Sequence, residues 1–178
     1  MLQFQALRAM RDLKIPWAAD PMPEWVGSTN VLHFRGTFAI GGSPAARQRL
    51  DISITDHNNG WAHTETRITF GSQQAADKRQ DVWGSAEFGG LWAGPAGLAM
   101  LQKGQVLDDD PIAKTRTFVR FIDNKSVVIA SANDTGVAER DWRYDKATGM
   151  LTGQRVIGGA MLPVKRTDVN ETLFVGRE

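Results

Sequence analysis

Strict alternation of apolar and polar residues in the segment VLHFRGTFAI is the sequence feature that most constrains the fold. Leu32, Phe34, Phe38 and Ile40 fall on one side of an extended chain, and the polar residues between them fall on the other. A period of two with one apolar face is typical of a strand in an antiparallel sheet that has one dry side and one solvated side. We therefore expect an antiparallel β protein.

Two more alternating segments, LDISIT and TETRITF, flank an Asn-Gly pair at 59–60 and predict a β-hairpin. A two-residue turn at the Asn-Gly pair would place apolar residues opposite polar ones. Because a slip of one residue inverts every side chain, the register can be inferred from the faces. We expect a longer loop that pairs Leu50 with Phe70 and Ile52 with Ile68.

The second half of the chain gives further elements. In LWAGPAGLAMLQKGQ, Pro95 suits a first helical turn and Gly104 a stop, which predicts a short helix over 95–103. The segment VLDDDP predicts a turn. Between ERDWRYD and MLTGQRVI, Asp145 can accept backbone N–H groups and Gly149 can adopt positive φ, so we expect a tight hairpin. Six segments predict further strands: RQDVWGSAEF, TRTFVRFID, KSVVIASA, ERDWRYD, MLTGQRVI and NETLFVG.

These elements predict one β-rich domain spanning residues 1–178, with about eight or nine strands. Residues 1–14 form an expected amphipathic helix, and residues 15–30 a proline-rich extended strap. The sheet must curl or close to bury its apolar face. Either a closed lipocalin-like barrel or an open half-barrel satisfies this, and two plugging helices favour the half-barrel. The order and spacing from LWAGPAGLAML to WRYDKATGML resemble those of lipoprotein-carrier-like half-barrel proteins, without a shared signature motif.

Composition excludes several classes of protein. The chain has 21 Lys and Arg against 20 Asp and Glu, a net charge of +1, so its charge gives no case for a nucleic-acid partner. No apolar run approaches a membrane span, and the polar residues that interrupt MLQFQALRAMRDLK argue against a signal peptide. We expect a soluble protein, with the cytoplasm favoured over export. The absence of cysteine excludes disulfides, thiolate zinc sites and cysteine nucleophiles.

Few residues suggest a metal or acid–base site. In the expected register His57 lies opposite His63 with Glu65 on the same face, and such a set could share a divalent metal. A hairpin tip with two solvated histidines is the commoner structure, and we expect no cofactor. Glu139 and Asp141 share one strand face, opposite that of Trp142. The candidates for acid–base chemistry are Glu65, Arg67, Glu139 and Arg143.

The most informative feature of the composition is an excess of tryptophan, with 6 Trp against 1 Tyr. Tryptophan supplies large apolar area with one polar N–H, which suits the wall of a ligand cavity. The expected ligand-binding residues are Trp83, Trp92, Trp142 and Tyr144. We therefore expect a carrier that holds an apolar or aromatic small molecule in the concave face of the sheet. The alternatives are a cofactor-free isomerase, cyclase or hydrolase using the same cavity, and a structural subunit that associates with other proteins or with its own copies.

Overall fold

Ten strands form one antiparallel sheet in the computed structural model, which describes residues 15–28, 31–39, 44–58, 60–71, 77–134, 139–158 and 169–177. The strands are β1 (Val31–Phe38), β2 (Ala46–Asn58), β3 (Trp61–Phe70), β4 (Asp77–Gly84), β5 (Val106–Asp110), β6 (Thr115–Ile122), β7 (Ser126–Asn133), β8 (Glu139–Asp145), β9 (Leu151–Ile157) and β10 (Val169–Arg177). Their order across the sheet is β4-β3-β2-β1-β10-β9-β8-β7-β6-β5. The sheet is not closed, since β4 and β5 are its edges. The expected antiparallel β fold with few helices is confirmed, and the closed barrel is wrong.

Two short helices accompany the sheet in the described ranges: α1 (Glu24–Ser28) and α2 (Pro95–Ala99). Pro95 lies in the first turn of α2 as expected, but the helix ends four residues earlier than the predicted 103. The proline-rich strap is not fully extended, because turn residues and α1 lie within it. The helix expected for residues 1–14 lies outside the described residues. Neither α1 nor α2 is long and apolar enough to cross a membrane.

The hairpin between β2 and β3 differs from its expected register by two residues. Leu50 pairs with Ile68 rather than Phe70, and Asn58 pairs with Trp61, so the loop between the two strands holds only residues 59 and 60. The register shifts between Ile54 and Asp56, which inserts one extra residue into β2. That β-bulge restores the agreement of the faces that a two-residue turn alone would have broken.

Strand β5 occupies the segment VLDDDP, which the sequence predicted as a turn. Residues 106–110 pair with β6, and Asp109 forms an ion pair of 2.9 Å with Arg116 across the two strands. The turn begins only at residue 111, where Asp110 Oδ1 accepts hydrogen bonds from the backbone of Ile112 and Ala113. Aspartate is rare in strands, but a charged edge strand is a common protection against unwanted pairing.

Two hydrophobic clusters cover one face of the sheet, which we call the inner face; the opposite face is the outer face. Cluster 1 lies on β6–β9 and is built around Trp17, Trp142 and Tyr144. Cluster 2 lies mainly on β1–β3 and is built around Leu32 and Trp92. The strap and the connection from β4 to β5 contribute to both clusters, so these two segments cross the inner face.

Candidate functional site

A strip of polar side chains crosses the inner face from β2 to β9, beside cluster 2 and up to Trp142 of cluster 1. Gln48 on β2 and Thr172 on β10 both lie opposite Gly36 on β1, and Thr172 lies in turn opposite Gln154 on β9. Gln154 is opposite Trp142, at the border of cluster 1. Gln48, Thr172 and Gln154 are all half-buried. We call these three residues the polar strip.

Gly36 allows the polar strip to form. Gln48 Nε2 donates a hydrogen bond of 2.8 Å to Thr172 Oγ1, although β1 lies between their strands. A Cβ atom at Gly36 would overlap the carbonyl oxygen of Glu171. The lack of a side chain at this position therefore permits close approach of β10 and leaves room for Gln48 to reach across β1.

Apolar side chains flank the strip without being fully buried. Leu50 and Phe174 are half-buried and pack against cluster 2. The ring of Phe174 lies edge-on to that of Phe34, with centroids 5.6 Å apart. On the other side, Trp142 is 8% exposed within cluster 1. The strip with its flanks combines two amide groups and one hydroxyl with an apolar surround, a lining that is typical of a site for a small amphipathic molecule.

The four residues expected to bind a ligand are divided between the two clusters. Trp142 and Tyr144 belong to cluster 1, whereas Trp92 belongs to cluster 2 and Trp83 packs against it. Trp83 Nε1 donates to Thr64 Oγ1 at 3.0 Å, and Trp92 Nε1 is buried with no partner among the described residues. Of the four, Trp142 is the one opposite a residue of the polar strip.

Tyr144 has a structural contact of its own. It is fully buried, and its hydroxyl donates a hydrogen bond of 3.1 Å to the carbonyl oxygen of Gly90. Burial raises the pKa of Tyr144 far above its usual value, so the side chain stays neutral. Tyr144 thus links β8 to the connection between β4 and β5.

The four acid–base candidates lie on the outer face, away from the polar strip. Glu65 and Arg67 on β3 form an ion pair of 3.1 Å. Glu139 and Arg143 lie on β8, on the face opposite Trp142. Four strands separate β3 from β8, which places the two pairs about 24 Å apart along the sheet at the usual strand spacing. The structure does not bring these candidates together.

On β8, Asp141 is a second carboxylate on the outer face beside Glu139, and the two form a charged cluster with Arg120. Arg120 on β6 forms ion pairs with Glu139 and with Asp141, the latter 3.3 Å from Nε to Oδ1. Burial raises the pKa of the Asp141 carboxyl, and the neighbouring Arg120, Arg155 and Arg143 offset part of that increase. Asp141 also lines a pocket of about 120 Å³, together with Arg143 and Gly153.

A second charged group lies on β1 and β2. His33 Nδ1 and Asp51 Oδ1 are 2.7 Å apart, and Arg49 Nε lies 3.0 Å from the same carboxyl group. Burial alone would raise the pKa of Asp51, but the hydrogen bonds with His33 and Arg49 outweigh it and lower the pKa.

The expected pair of histidines is not aligned. His57 lies opposite Ala62, and His63 lies opposite Asp56, because the loop between β2 and β3 holds only two residues. The His63 ring contacts Trp61 with centroids 4.7 Å apart, whereas the His57 ring lies beside Gly27 of α1. Among the residues that the structure describes, no group of three or more His, Cys, Asp and Glu side chains could hold a metal ion.

The raised pKa of Asp141 predicts a pH-dependent effect of Asp141→Asn. The folded state disfavours ionised Asp141 relative to the unfolded state, so the wild type loses stability as the pH rises through the folded pKa. The uncharged variant lacks this loss. We expect urea unfolding to show that the stability of wild type, relative to Asp141→Asn, falls between pH 4 and pH 7.

Asp51→Asn provides a control of opposite sign. The pKa of Asp51 is lowered, so ionised Asp51 stabilises the folded state above the unfolded pKa, and this stabilisation is lost as the pH falls through the folded pKa. Relative to Asp51→Asn, the wild type should gain stability as the pH rises to about 4 and stay nearly level above about pH 5, where Asp51 is ionised in both the folded and the unfolded states. Parallel pH profiles for the two variants would contradict both assignments.

No protein-family model fits the chain, and no curated protein is significantly similar to it in sequence. The candidate site therefore rests on the residues and their geometry.

None of the three residues of the polar strip was among the expected ligand-binding residues. The predicted strand LDISIT begins at Leu50 and leaves out Gln48, although β2 begins at Ala46. Its spacing of two from Leu50 would have extended the alternation and placed Gln48 on the inner face. The contact between Gln48 and Thr172 joins residues 124 positions apart. Only the strand order brings them together, and no local pattern reports that order.

Proposed function

We propose that this protein binds a small amphipathic molecule on the inner face of its sheet, with the polar part of the molecule on the polar strip. The observation that carries the proposal is the position of two half-buried amide side chains, Gln48 beside cluster 2 and Gln154 beside cluster 1. Packing alone would favour apolar residues there, because polar groups partly withdrawn from water need hydrogen bonds. The bond from Gln48 to Thr172 uses one amide N–H group, and a ligand can bond to the amide groups that remain.

The flanking side chains indicate the character of the ligand. Leu50 and Phe174 on one side and Trp142 on the other supply apolar and aromatic surface. None of the three residues of the strip is charged, so we infer that the part of the ligand in contact with them is neutral, such as a carbonyl, hydroxyl or amide. Arg140 lies one row away, opposite Val156. Binding would gain about 25 cal/mol for each Å² of apolar surface removed from water.

Binding is favoured over catalysis by the position of the charged groups. The acid–base candidates Glu65, Arg67, Glu139 and Arg143 lie on the outer face, so none of them can transfer a proton to a molecule on the strip. The cofactor-free enzyme would need another acid or base. Assembly through a sheet edge would use β4 or β5 and would leave the inner face without a role.

Thr172→Trp tests the proposal by filling the strip. The probe is Nile red, a neutral aromatic dye with a carbonyl acceptor, whose emission is read in the visible range where added tryptophan does not interfere. We expect saturable binding to the wild type and at least about tenfold weaker binding to Thr172→Trp, because the indole would cover the neighbouring amides of Gln48 and Gln154.

Thr37→Trp is the matched control. Thr37 is exposed and lies opposite Glu171 on β10, next to Thr172 but with its side chain on the outer face. This variant should bind Nile red within about twofold of the wild type, with thermal melting showing that both variants are folded. The proposal is wrong if the wild type does not bind the dye saturably or if the two variants lose binding equally.

A further inference from the structure

A second pocket opens on the outer face, where β1 meets β2 and β10. Its volume is about 340 Å³. Its lining residues are His33, Phe34, Arg35, Arg49, Val175 and Gly176. We call it the outer pocket. It shares no residue with the polar strip.

A β-bulge in β10 creates the outer pocket. His33 pairs with Gly176 and Phe34 pairs with Phe174, so Val175 is an extra residue without a partner on β1. A Cβ atom at Gly176 would meet no other atom within 4 Å, which shows that the space above this glycine is open. Bulges of this kind interrupt the regular surface of a sheet and often border binding sites.

The charges that line the outer pocket are unbalanced. Arg35 and Arg49 lie directly opposite each other on neighbouring strands, and like charges in that position repel. Arg49 is paired with Asp51, which also contacts His33. Arg35 has no carboxylate within ion-pair distance in the described part of the chain.

We propose that the outer pocket binds a small organic anion through the guanidinium groups of Arg35 and Arg49. An oxyanion between the two groups replaces their repulsion with charge-assisted hydrogen bonds, for which the guanidinium fork is well suited. Asp51 acts as a positioning residue, because its ion pair with Arg49 restricts that side chain beside the pocket.

The rest of the lining favours an anion that carries an organic group. Val175 is 53% exposed and supplies an apolar wall beside the two arginines. The volume of about 340 Å³ lies within the range of small-molecule sites and exceeds what a bare inorganic ion fills. A carboxylate or phosphate attached to a small apolar or aromatic group matches both features.

Binding of defined probes to the full chain tests this site. The anionic probes are benzoate and phenyl phosphate, the uncharged analogue is benzyl alcohol, and inorganic phosphate lacks the organic group. In titration calorimetry at low salt we expect saturable binding of at least one aromatic anion, no binding of benzyl alcohol, and at least tenfold weaker binding of inorganic phosphate. The two aromatic anions distinguish a carboxylate site from a phosphate site. Failure of both to bind, or equal binding of inorganic phosphate, would overturn the proposal.

Arg35→Gln and the matched control Arg67→Gln show where the anion binds. Arg67 lies on the same face but is already paired with Glu65 at 3.1 Å. Arg35→Gln should weaken binding at least tenfold and Arg67→Gln less than twofold. Arg35→Gln should also melt no lower than the wild type, because it removes the repulsion with Arg49. Equal losses in the two variants, or a marked loss of stability in Arg35→Gln, would overturn the assignment. Thr172→Trp should leave anion binding unchanged. The two proposals can therefore be tested separately, and either can be wrong while the other holds.

Discussion

Gly149→Val is expected to lower the free energy of unfolding by about 4 kcal/mol, from backbone strain of about 1–3 kcal/mol and a steric overlap of similar size. Gly149 has φ of 69°, a conformation that β-branched residues rarely adopt. A Cβ atom at this position would also overlap the carbonyl oxygen of Ala93. The close approach is required because Ala93 N donates a 2.8 Å hydrogen bond to Gly149 O, which attaches the β8–β9 turn to the connection on the inner face.

Gly104→Val separates the two contributions. Gly104 has φ of 83°, but a Cβ atom there would meet nothing within 4 Å. This variant should therefore lose only the strain energy, about 2 kcal/mol. Urea unfolding measures both variants, and Gly149→Ala replaces Gly149→Val if the latter does not fold. Equal losses in the free energy of unfolding at the two glycines would show that the contact between the β8–β9 turn and the β4–β5 connection does not contribute to stability.

Arg120→Met is expected to lower the free energy of unfolding by about 3 kcal/mol at neutral pH, the lower end of the range for breaking a buried ion pair. The side chains of Glu139 and Asp141 are only 10% and 14% exposed. In the variant, both carboxylates lose their ion pair with the guanidinium group of Arg120. The lower end applies because Arg120 itself is 31% exposed. The loss should shrink at pH 4, since the raised pKa of Asp141 favours its protonation there, which removes one of the two unpaired charges.

Arg116→Met is the matched control for this variant. Arg116 lies on the same strand and pairs with Asp109 at 2.9 Å, but both side chains are more than half exposed. Exposed pairs contribute less than about 1 kcal/mol, so this variant should remain close to the wild type. Urea unfolding at both pH values compares the two. A loss for Arg120→Met that is no larger than that for Arg116→Met would contradict a structural role of the buried cluster.

Local sequence patterns predicted the faces of the strands better than their pairing. Leu50, Ile52 and Ile68 lie on the inner face as expected from their alternation. The register failed by two residues, because a two-residue loop was combined with a bulge in β2. Two compensating irregularities leave the pattern of faces unchanged, so alternation alone does not detect them.

Turn chemistry was predictable where one residue determines the conformation. Asp145 Oδ1 accepts hydrogen bonds from the backbone of Ala147 and Thr148, and Gly149 has the positive φ that was expected. The Asp108–Asp110 segment was not predictable in the same way, because its strand is stabilised by pairing with β6 rather than by its own propensity.

The candidate site was only partly accessible to sequence analysis. Trp83, Trp92 and Trp142 lie in or against the two clusters of the inner face, and Trp142 borders the polar strip. The strip itself depends on β10 lying next to β1, a pairing between the end and the beginning of the described chain. Gly36 permits that approach, but nothing in the sequence distinguishes it from other strand residues. Its role is visible only in the structure, where a Cβ atom at this position would overlap the carbonyl oxygen of Glu171.

The most direct test of ligand binding on the inner face is a ¹H–¹⁵N NMR titration of the full chain with a neutral aromatic amide such as benzamide. The side-chain amide signals of Gln48 and Gln154 and the backbone signal of Thr172 should shift together and saturate. The side-chain signal of Gln80, which is exposed on β4, should remain unchanged and serves as the internal control. Shifts confined to other parts of the sheet, or no saturable shift in Gln48 and Gln154, would contradict the proposed binding site.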